Sequence, residues 1–207
     1  MRGTRVVLIV LAGFFGLPAV GMDVLRPVGV FTEPQTGMVY PEAVGDFQRI
    51  NVIKYAPDGS DESVGYNLIA PHSEVSSTVY FFPSPSLRSV GSPPEVIEDA
   101  RASLCLRQFL AIEQEILRAH PDAHLLKEEQ VTLDQMGKTF RGHKVTYQLM
   151  IEKFFGRRQA THSEAYLFCY AGGRWSVEYR IDYPAEYDAS GPIAALLRDF
   201  KWTMKPE

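Results

Sequence analysis

Residues 92–119, SPPEVIEDARASLCLRQFLAIEQEILRA, decide the fold of this chain. Apolar side chains recur there at helical spacing and predict one face of a single long helix. They are Ile97, Leu104, Cys105, Phe109, Ile112 and Ile116. Ser92 and Glu95 have the spacing of a capping box, and Pro93 suits the first helical position. Because the residue before a proline is disfavoured in the helical region, the helix is expected to end near His120-Pro121.

Strand-like segments lie on both sides of this helix. Three precede it, at 46–55, 63–70 and 75–82, and three follow it, at 139–151, 159–170 and 174–183, while 125–132 is ambiguous. A second, short helix is expected over 190–202. The strands are joined by short, turn-like connections. The sequence therefore predicts an α+β fold, with a largely antiparallel sheet of about six strands and one long and one short helix packed on one face.

The last hairpin bears on the two cysteines of the chain. A two-residue turn at 172–173 places the aromatic side chains of both strands on one face of the sheet. In that register Tyr166 pairs with Tyr179, Phe168 with Val177 and Tyr170 with Trp175. Cys169 then lies on the other face, away from the long helix and Cys105, whereas a three-residue loop turns it inward. A Cys105–Cys169 disulfide and two buried thiols both remain open.

The first 21 residues have the features of a secretory signal peptide. Arg2 and Arg5 precede an apolar run at 6–17, and small residues at 19 and 21 follow it. The run is shorter than a membrane span requires. We expect a signal peptide at 1–21, an extended lead-in at 22–45 and a single domain at 46–207. The chain is then exported, periplasmic or secreted, with no transmembrane segment after cleavage; a retained N-terminal anchor is the alternative.

Composition and motifs argue against several classes of function. Removal of Arg2 and Arg5 changes the formal net charge from −4 to −6, whereas nucleic-acid binding needs a basic surface. The chain has no G-x-S-x-G, H-E-x-x-H, P-loop or G-x-G-x-x-G motif. His120 and His124 have the spacing of a helical metal site, but Pro121 breaks the helix between them. We therefore expect no catalytic, cofactor-binding or metal-binding residues, and a hydrolase assembled from distant residues is the least favoured alternative.

Two features are candidates for binding. Phe154, Phe155, Arg157 and Arg158 lie at a predicted hairpin tip, where they could contact a partner protein or a membrane surface. The alternative is that one phenylalanine packs on the core and the arginines keep the tip hydrated. The aromatic strand face of Tyr166, Tyr170, Trp175 and Tyr179 could line a cavity for a small apolar ligand, or simply form core.

The order of three strands, long helix, three strands and short helix, with Trp175 in the strand before the last helix, resembles the PsbP-like fold over residues 46–202. The resemblance implies an antiparallel sheet flanked by helices and a non-enzymatic binding or accessory role, as in extrinsic photosystem proteins and exported bacterial proteins. A curved cystatin-like or NTF2-like sheet is the alternative fold. We expect a non-catalytic exported protein that binds another envelope protein, or alternatively a carrier of small apolar ligands.

Overall fold

The computed structural model describes residues 22–70, 74–87 and 91–205, so the predicted signal peptide lies outside the described residues. In chain order the elements are β1 (Asp23–Leu25), β2 (Phe31–Thr32), β3 (Val39–Tyr40), β4 (Ala43–Val44), β5 (Phe47–Lys54), β6 (Glu62–Leu68), β7 (Val75–Pro83), α1 (Pro94–Ala119), β8 (His124–Gln135), β9 (Lys138–Phe154), β10 (Arg157–Ala171), β11 (Trp175–Pro184) and α2 (Ser190–Asp199).

One antiparallel sheet organises the described residues. Its strand order is β1-β5-β6-β7-β11-β10-β9-β8, with β4 also paired to β5, while β2 and β3 form a separate ribbon. The prediction of an α+β fold with a sheet of about six strands is therefore wrong. The described chain is mostly antiparallel sheet with two helices, and one sheet holds nine strands.

The additional strands come from segments with weak sequence patterns. β8 is an edge strand with mostly exposed side chains, so it lacks the apolar alternation that predicts a strand. β1 and β4 are three and two residues long and lie within 22–45, where we expect an extended lead-in. That segment also supplies Met38, Tyr40 and Val44 to the hydrophobic core.

The two helices lie on opposite faces of the sheet. Successive residues of a strand point to opposite faces. Leu167 and Cys169 of β10 pack in one cluster with Phe109 of α1, whereas Phe168 packs in a second cluster with Leu196 of α2. The expectation that both helices pack on one face is therefore wrong, and the central strands are buried on both sides.

α1 matches its predicted extent but not its predicted cap. It begins at Pro94, with Pro93 as the N-cap residue, and no side chain caps its first turn. The capping box expected from Ser92 and Glu95 is therefore wrong. At the other end the N–H of His120 donates to the carbonyl of Ile116, so the helix ends where Pro121 predicts.

The hairpin between β10 and β11 contains a bulge. Phe168 pairs with Val177 as predicted, but Trp175 pairs with Ala171 and not with Tyr170. Tyr170 is the extra residue of the bulge, and its φ of 60° lies in the left-handed region that residues other than glycine rarely adopt. The prediction of a two-residue turn is therefore wrong, because the loop has three residues, 172–174. The bulge offsets the extra loop residue, so Cys169 still lies on the face opposite the aromatic core layer.

The sulfur atoms of Cys105 and Cys169 lie at bonding distance, 2.11 Å apart. Cys169 faces the long helix because α1 covers the sheet face opposite α2. The prediction that this side chain points away from the long helix is therefore wrong, and of the two alternatives for the cysteines the structure has the disulfide. The bond joins positions separated by 64 residues.

Residues after α2 close the core on the α2 side. The Phe200 ring lies between 5.7 and 6.5 Å from four other aromatic rings, those of Tyr40, Tyr66, Phe81 and Tyr179. The N–H of Val39 donates to Thr203 Oγ1 at 2.7 Å, and the N–H of Lys205 donates to the Thr36 carbonyl at 2.9 Å. Segment 36–40 is therefore bonded to segment 200–205.

Gly142→Ala is expected to destabilise the fold by about 2 kcal/mol, because a Cβ at this position overpacks a strand pair. It would lie 2.5 Å from the Leu167 carbonyl oxygen and 2.5 Å from Phe168 Cδ1. Urea denaturation measures the loss. Gly191→Ala in α2 is the control, because a Cβ there meets nothing within 4 Å. Equal stability of the two variants would contradict this prediction.

Candidate functional site

The predicted contact residues at the β9–β10 tip interact mainly with the protein itself. Phe154 is buried, and the Phe155 ring packs edge-on against it at 4.9 Å. Arg157 and Arg158 form ion pairs with glutamates at 2.8 and 2.7 Å. The tip brings the four residues together, but the two phenylalanines do not form an exposed apolar pair.

The predicted aromatic strand face divides between core and surface. Tyr179 is fully buried and accepts a hydrogen bond from Trp202 Nε1 at 2.8 Å. Tyr166 donates to a neighbouring carboxylate, Glu164. The remaining two residues, Tyr170 and Trp175, line a cleft at one end of the sheet.

This cleft, which we name the end cleft, has a volume of about 730 Å³ and lies where β7 and β10 end and β11 begins. Five segments supply its lining: Gln35 and Thr36; Asp58 and Ser60; residues 83–87; Arg101; and residues 170 and 173–175. They are far apart in the chain, so only the folded sheet brings them together.

Two arginine–aromatic pairs bring positive charge to the end cleft, whose lining also includes one carboxylate, that of Asp58. The Arg174 guanidinium carbon lies 4.8 Å from the centroid of the Trp175 ring, and that of Arg101 lies 5.1 Å from the Tyr170 ring. Arg101 Nη1 also pairs with an exposed carboxylate, Glu98, at 3.0 Å. Stacking on a ring orients a guanidinium group while leaving N–H donors free for a ligand.

Unpartnered buried polar atoms concentrate at the end cleft. In the described part of the chain, five buried side-chain nitrogen or oxygen atoms have no hydrogen-bond partner. Two of them, Arg101 Nε and Trp175 Nε1, belong to lining residues, and a third, Glu62 Oε2, belongs to a carboxylate bonded to the lining residue Thr36. An unpaired buried polar group costs about 1–3 kcal/mol, so this concentration indicates a site for a polar ligand.

The backbone is strained at one wall of the end cleft. Tyr170, with its left-handed conformation, donates its N–H to Ser84 Oγ at 2.9 Å and its hydroxyl to the Pro85 carbonyl at 3.0 Å. Strain of this kind is found preferentially at functional sites, where surrounding contacts maintain it. Here the contacts come from the 83–87 loop.

The disulfide supports the same wall. Cys105 lies four residues after Arg101 in α1, and Cys169 precedes Tyr170 in β10. The bond therefore fixes the helix and the strand that carry this arginine–aromatic pair. Ser176 Oγ extends the attachment, because it donates to Gln108 Oε1 of α1 at 2.8 Å.

A buried acid pair, Glu33 and Glu62, lies behind the opposite wall. Glu33 Oε2 accepts the N–H groups of Gln35 and Thr36 at 2.6 and 2.7 Å, and its Oε1 lies 2.6 Å from Lys54 Nζ. Burial acts to raise the pKa of Glu33, but these donors outweigh it and the pKa is lowered. Burial raises the pKa of Glu62 to about 7.

A second polar cluster, far from the end cleft, is internally paired. Glu164 accepts hydrogen bonds from the Tyr183 and Tyr166 hydroxyls and lies 3.0 Å from Lys144 Nζ. It borders a cavity of about 490 Å³ beside α2. Because the carboxylate is fully partnered by the protein, this cluster is a weaker ligand site than the end cleft.

A pocket of about 190 Å³ bears on the hydrolase alternative, because it gathers His120, Asp182 and Ser163. Ser163 hydrogen-bonds to Asp182, whose pKa is raised by burial. The Ser163 hydroxyl is thus bonded to a carboxylate, whereas activation of a serine nucleophile requires a histidine base bonded to the hydroxyl. The pocket therefore gives the hydrolase alternative no support.

The chain matches no protein-family model, and no curated protein shows significant similarity to it. The PsbP-like resemblance therefore stays a prediction. Neither helix within 22–70, 74–87 and 91–205 has the length and apolar character needed to cross a membrane.

Sequence reasoning identified part of the end cleft. It selected Tyr170 and Trp175 for their aromatic character but missed Arg101 and Arg174 as members of a site. Two glycines precede Arg174, and Trp175 directly follows it. This order is a local signal for an arginine–aromatic pair at a hairpin. No such local signal marks Arg101, because its position over Tyr170 depends on how α1 crosses the sheet.

Proposed function

We propose that this protein is a non-catalytic, exported binding protein whose end cleft takes a small ligand with an anionic group and an apolar body. The observation that carries the proposal is the pair of buried, unpartnered N–H donors, Arg101 Nε and Trp175 Nε1, which belong to residues that line the cleft together with Arg174. Unpaired donors beside positive charge favour a carboxylate, sulfonate or phosphate, which are acceptors.

The size and apolar surface of the end cleft support a small ligand. Its volume of about 730 Å³ falls in the usual range of small-molecule sites, about 300–1,000 Å³. Pro85, Leu87, Tyr170 and Trp175 supply apolar contact area. The small-ligand alternative is therefore favoured over binding through the β9–β10 tip. Contact of that tip with another envelope protein stays a prediction.

Two observations support the exported part of the proposal. A disulfide is typical of proteins that fold in oxidising compartments such as the periplasm or the extracellular space. The charged and apolar pattern of residues 1–21 is typical of a signal peptide. The non-enzymatic role implied by the PsbP-like resemblance agrees with a binding function.

Arg101→Gln is expected to weaken binding of an aromatic carboxylate, 2-naphthoate, at least tenfold, because loss of a charge-assisted hydrogen bond costs about 1.5–3 kcal/mol. Trp175→Phe, which keeps a ring but removes the N–H, is expected to weaken it about fivefold. Isothermal titration calorimetry measures both. Arg107→Gln is the matched control, since Arg107 is exposed on the same helix and does not line the end cleft.

The neutral analogue 2-naphthamide tests the charge of the ligand. It has the same apolar body, so we expect it to bind at least tenfold more weakly than 2-naphthoate if the guanidinium groups recognise an anion. Equal affinity for the two compounds, or equal effects of the Arg101 and Arg107 variants, would contradict the proposed function.

A further inference from the structure

We propose that the end cleft binds its anionic ligand together with one proton, which is held by Glu62. This inference rests on the proposed binding function and adds a regulation to the same site.

The charges of the buried acid pair, Glu33 and Glu62, predict that the pair holds one proton. Glu33 and Glu62 are both fully buried, and they share one nearby ammonium group, that of Lys54. Lys54 Nζ bonds Glu33, whereas Glu62 receives only hydroxyl donors, from Tyr40 and Thr36. A buried carboxylate without a cation is more stable in its neutral form.

β5 supplies the shared cation, because Lys54 is the cross-strand partner of Glu62 in the sheet register. β7 places the uncharged Phe81 opposite it in the sheet register. On β6 itself, the next residues on the same strand face are Val64 and Tyr66, and the Tyr66 hydroxyl donates to the Pro41 carbonyl. Tyr40, from β3, is a phenol whose pKa is raised by burial, so it stays neutral beside Glu62.

The acid pair is attached to two segments that line the end cleft. Thr36 Oγ1 lies 3.3 Å from Glu33 Oε2 and 3.4 Å from Glu62 Oε1, so it bridges the two carboxylates. Gly59 packs so closely on Glu33 that a Cβ there would lie 2.8 Å from the carboxylate carbon. A change of charge on Glu62 therefore acts directly on Thr36 and, through the neighbouring Glu33, on the wall segment 58–60.

The pH at which Glu62 ionises decides whether ligand affinity rises or falls with pH. Burial and the nearby Glu33 carboxylate raise its pKa to about 7, so the proton leaves in the neutral range. Below that pH the buried acid pair carries one negative charge, on Glu33, which is compensated by Lys54. Above it an uncompensated negative charge lies behind the wall and repels a bound anion, so affinity falls as pH rises. By reciprocity, the ligand raises the pKa of Glu62.

The expected change of affinity with pH can be measured with the same probe, 2-naphthoate. If bound 2-naphthoate raises the pKa of Glu62 by about one unit, its Kd increases about fivefold between pH 6 and pH 8. Calorimetry at both pH values should show this increase for the natural protein and less than a twofold change for Glu62→Gln. Among the described lining residues none is a histidine, and an effect of any other histidine would persist in the variant.

A measurement on the unchanged protein covers the case in which Glu62→Gln folds poorly. Carboxyl ¹³C NMR should follow Glu62 with and without 2-naphthoate, and its titration midpoint should move to higher pH when the probe is bound. An unmoved midpoint, or a pH effect that persists in Glu62→Gln, overturns the role of Glu62 while leaving the proposed function standing. Absence of probe binding at every pH overturns both proposals.

Discussion

The double variant Cys105→Ala/Cys169→Ala is expected to lose about 4 kcal/mol of unfolding free energy relative to the natural protein. The disulfide closes a loop over 64 positions, and in the chain-entropy description a loop of that size restricts the unfolded chain by about 4 kcal/mol. Urea denaturation without reductant measures the loss. A loss below about 1 kcal/mol would contradict the prediction.

The same bond is expected to affect the end cleft. Cys105 lies four residues after Arg101, and Cys169 directly precedes Tyr170. The double variant should therefore bind 2-naphthoate more weakly under conditions where it is still folded. Reduction of the natural protein with dithiothreitol should reproduce both effects, and dithiothreitol should leave the double variant unchanged. If binding is unaffected, the disulfide stabilises the fold without positioning the cleft wall.

Phe200→Ala is expected to cost about 4 kcal/mol, since truncation of a fully buried phenylalanine leaves a cavity. Phe200 is fully buried and packs against four aromatic rings. One of them is Tyr40, so the variant should also loosen residues 38–44. Urea denaturation measures the stability, and amide hydrogen exchange measures protection of that segment.

Phe155→Ala is the control for Phe200→Ala. Phe155 is only partly buried at the β9–β10 tip, so its truncation should cost about 1 kcal/mol or less and leave exchange in residues 38–44 unchanged. A similar loss for both variants, or retained protection of residues 38–44 in Phe200→Ala, would contradict the packing role assigned to Phe200.

Strands and helices with a regular spacing of apolar residues could be predicted from the sequence. β11 alternates Trp175, Val177 and Tyr179 with polar residues, and both its bounds and its pairing with Phe168 follow from that pattern. β8 could not be predicted with the same certainty. Its inner face is only partly covered, so burial did not impose an apolar alternation on its sequence.

The placement of the helices was missed although β10 contains a signal for it. Residues 165–169 are all buried, and they are a continuous run of apolar and aromatic side chains. Such a run is typical of a strand covered on both faces. The aromatic residues alone predict a single buried face, and both helices are then expected on that face.

The candidate site depended more heavily on tertiary structure. Glu62 occupies an apolar-facing position of β6, in line with Val64, Tyr66 and Leu68. A carboxylate in such a row is a local signal for a buried acid. Its relation to Lys54, Glu33 and the cleft wall depends on chain segments that only the fold brings together.

The strand order has a consequence for the time at which the structure can form during synthesis. β7 is paired with β11, so the half of the sheet made first has no neighbour on that edge until about a hundred further residues have followed. The contacts of residues 36–39 with 203–205 come later still. A nascent chain shorter than this therefore leaves the apolar strand β7 without its β11 partner, so the complete sheet can close only after nearly the whole chain has been made.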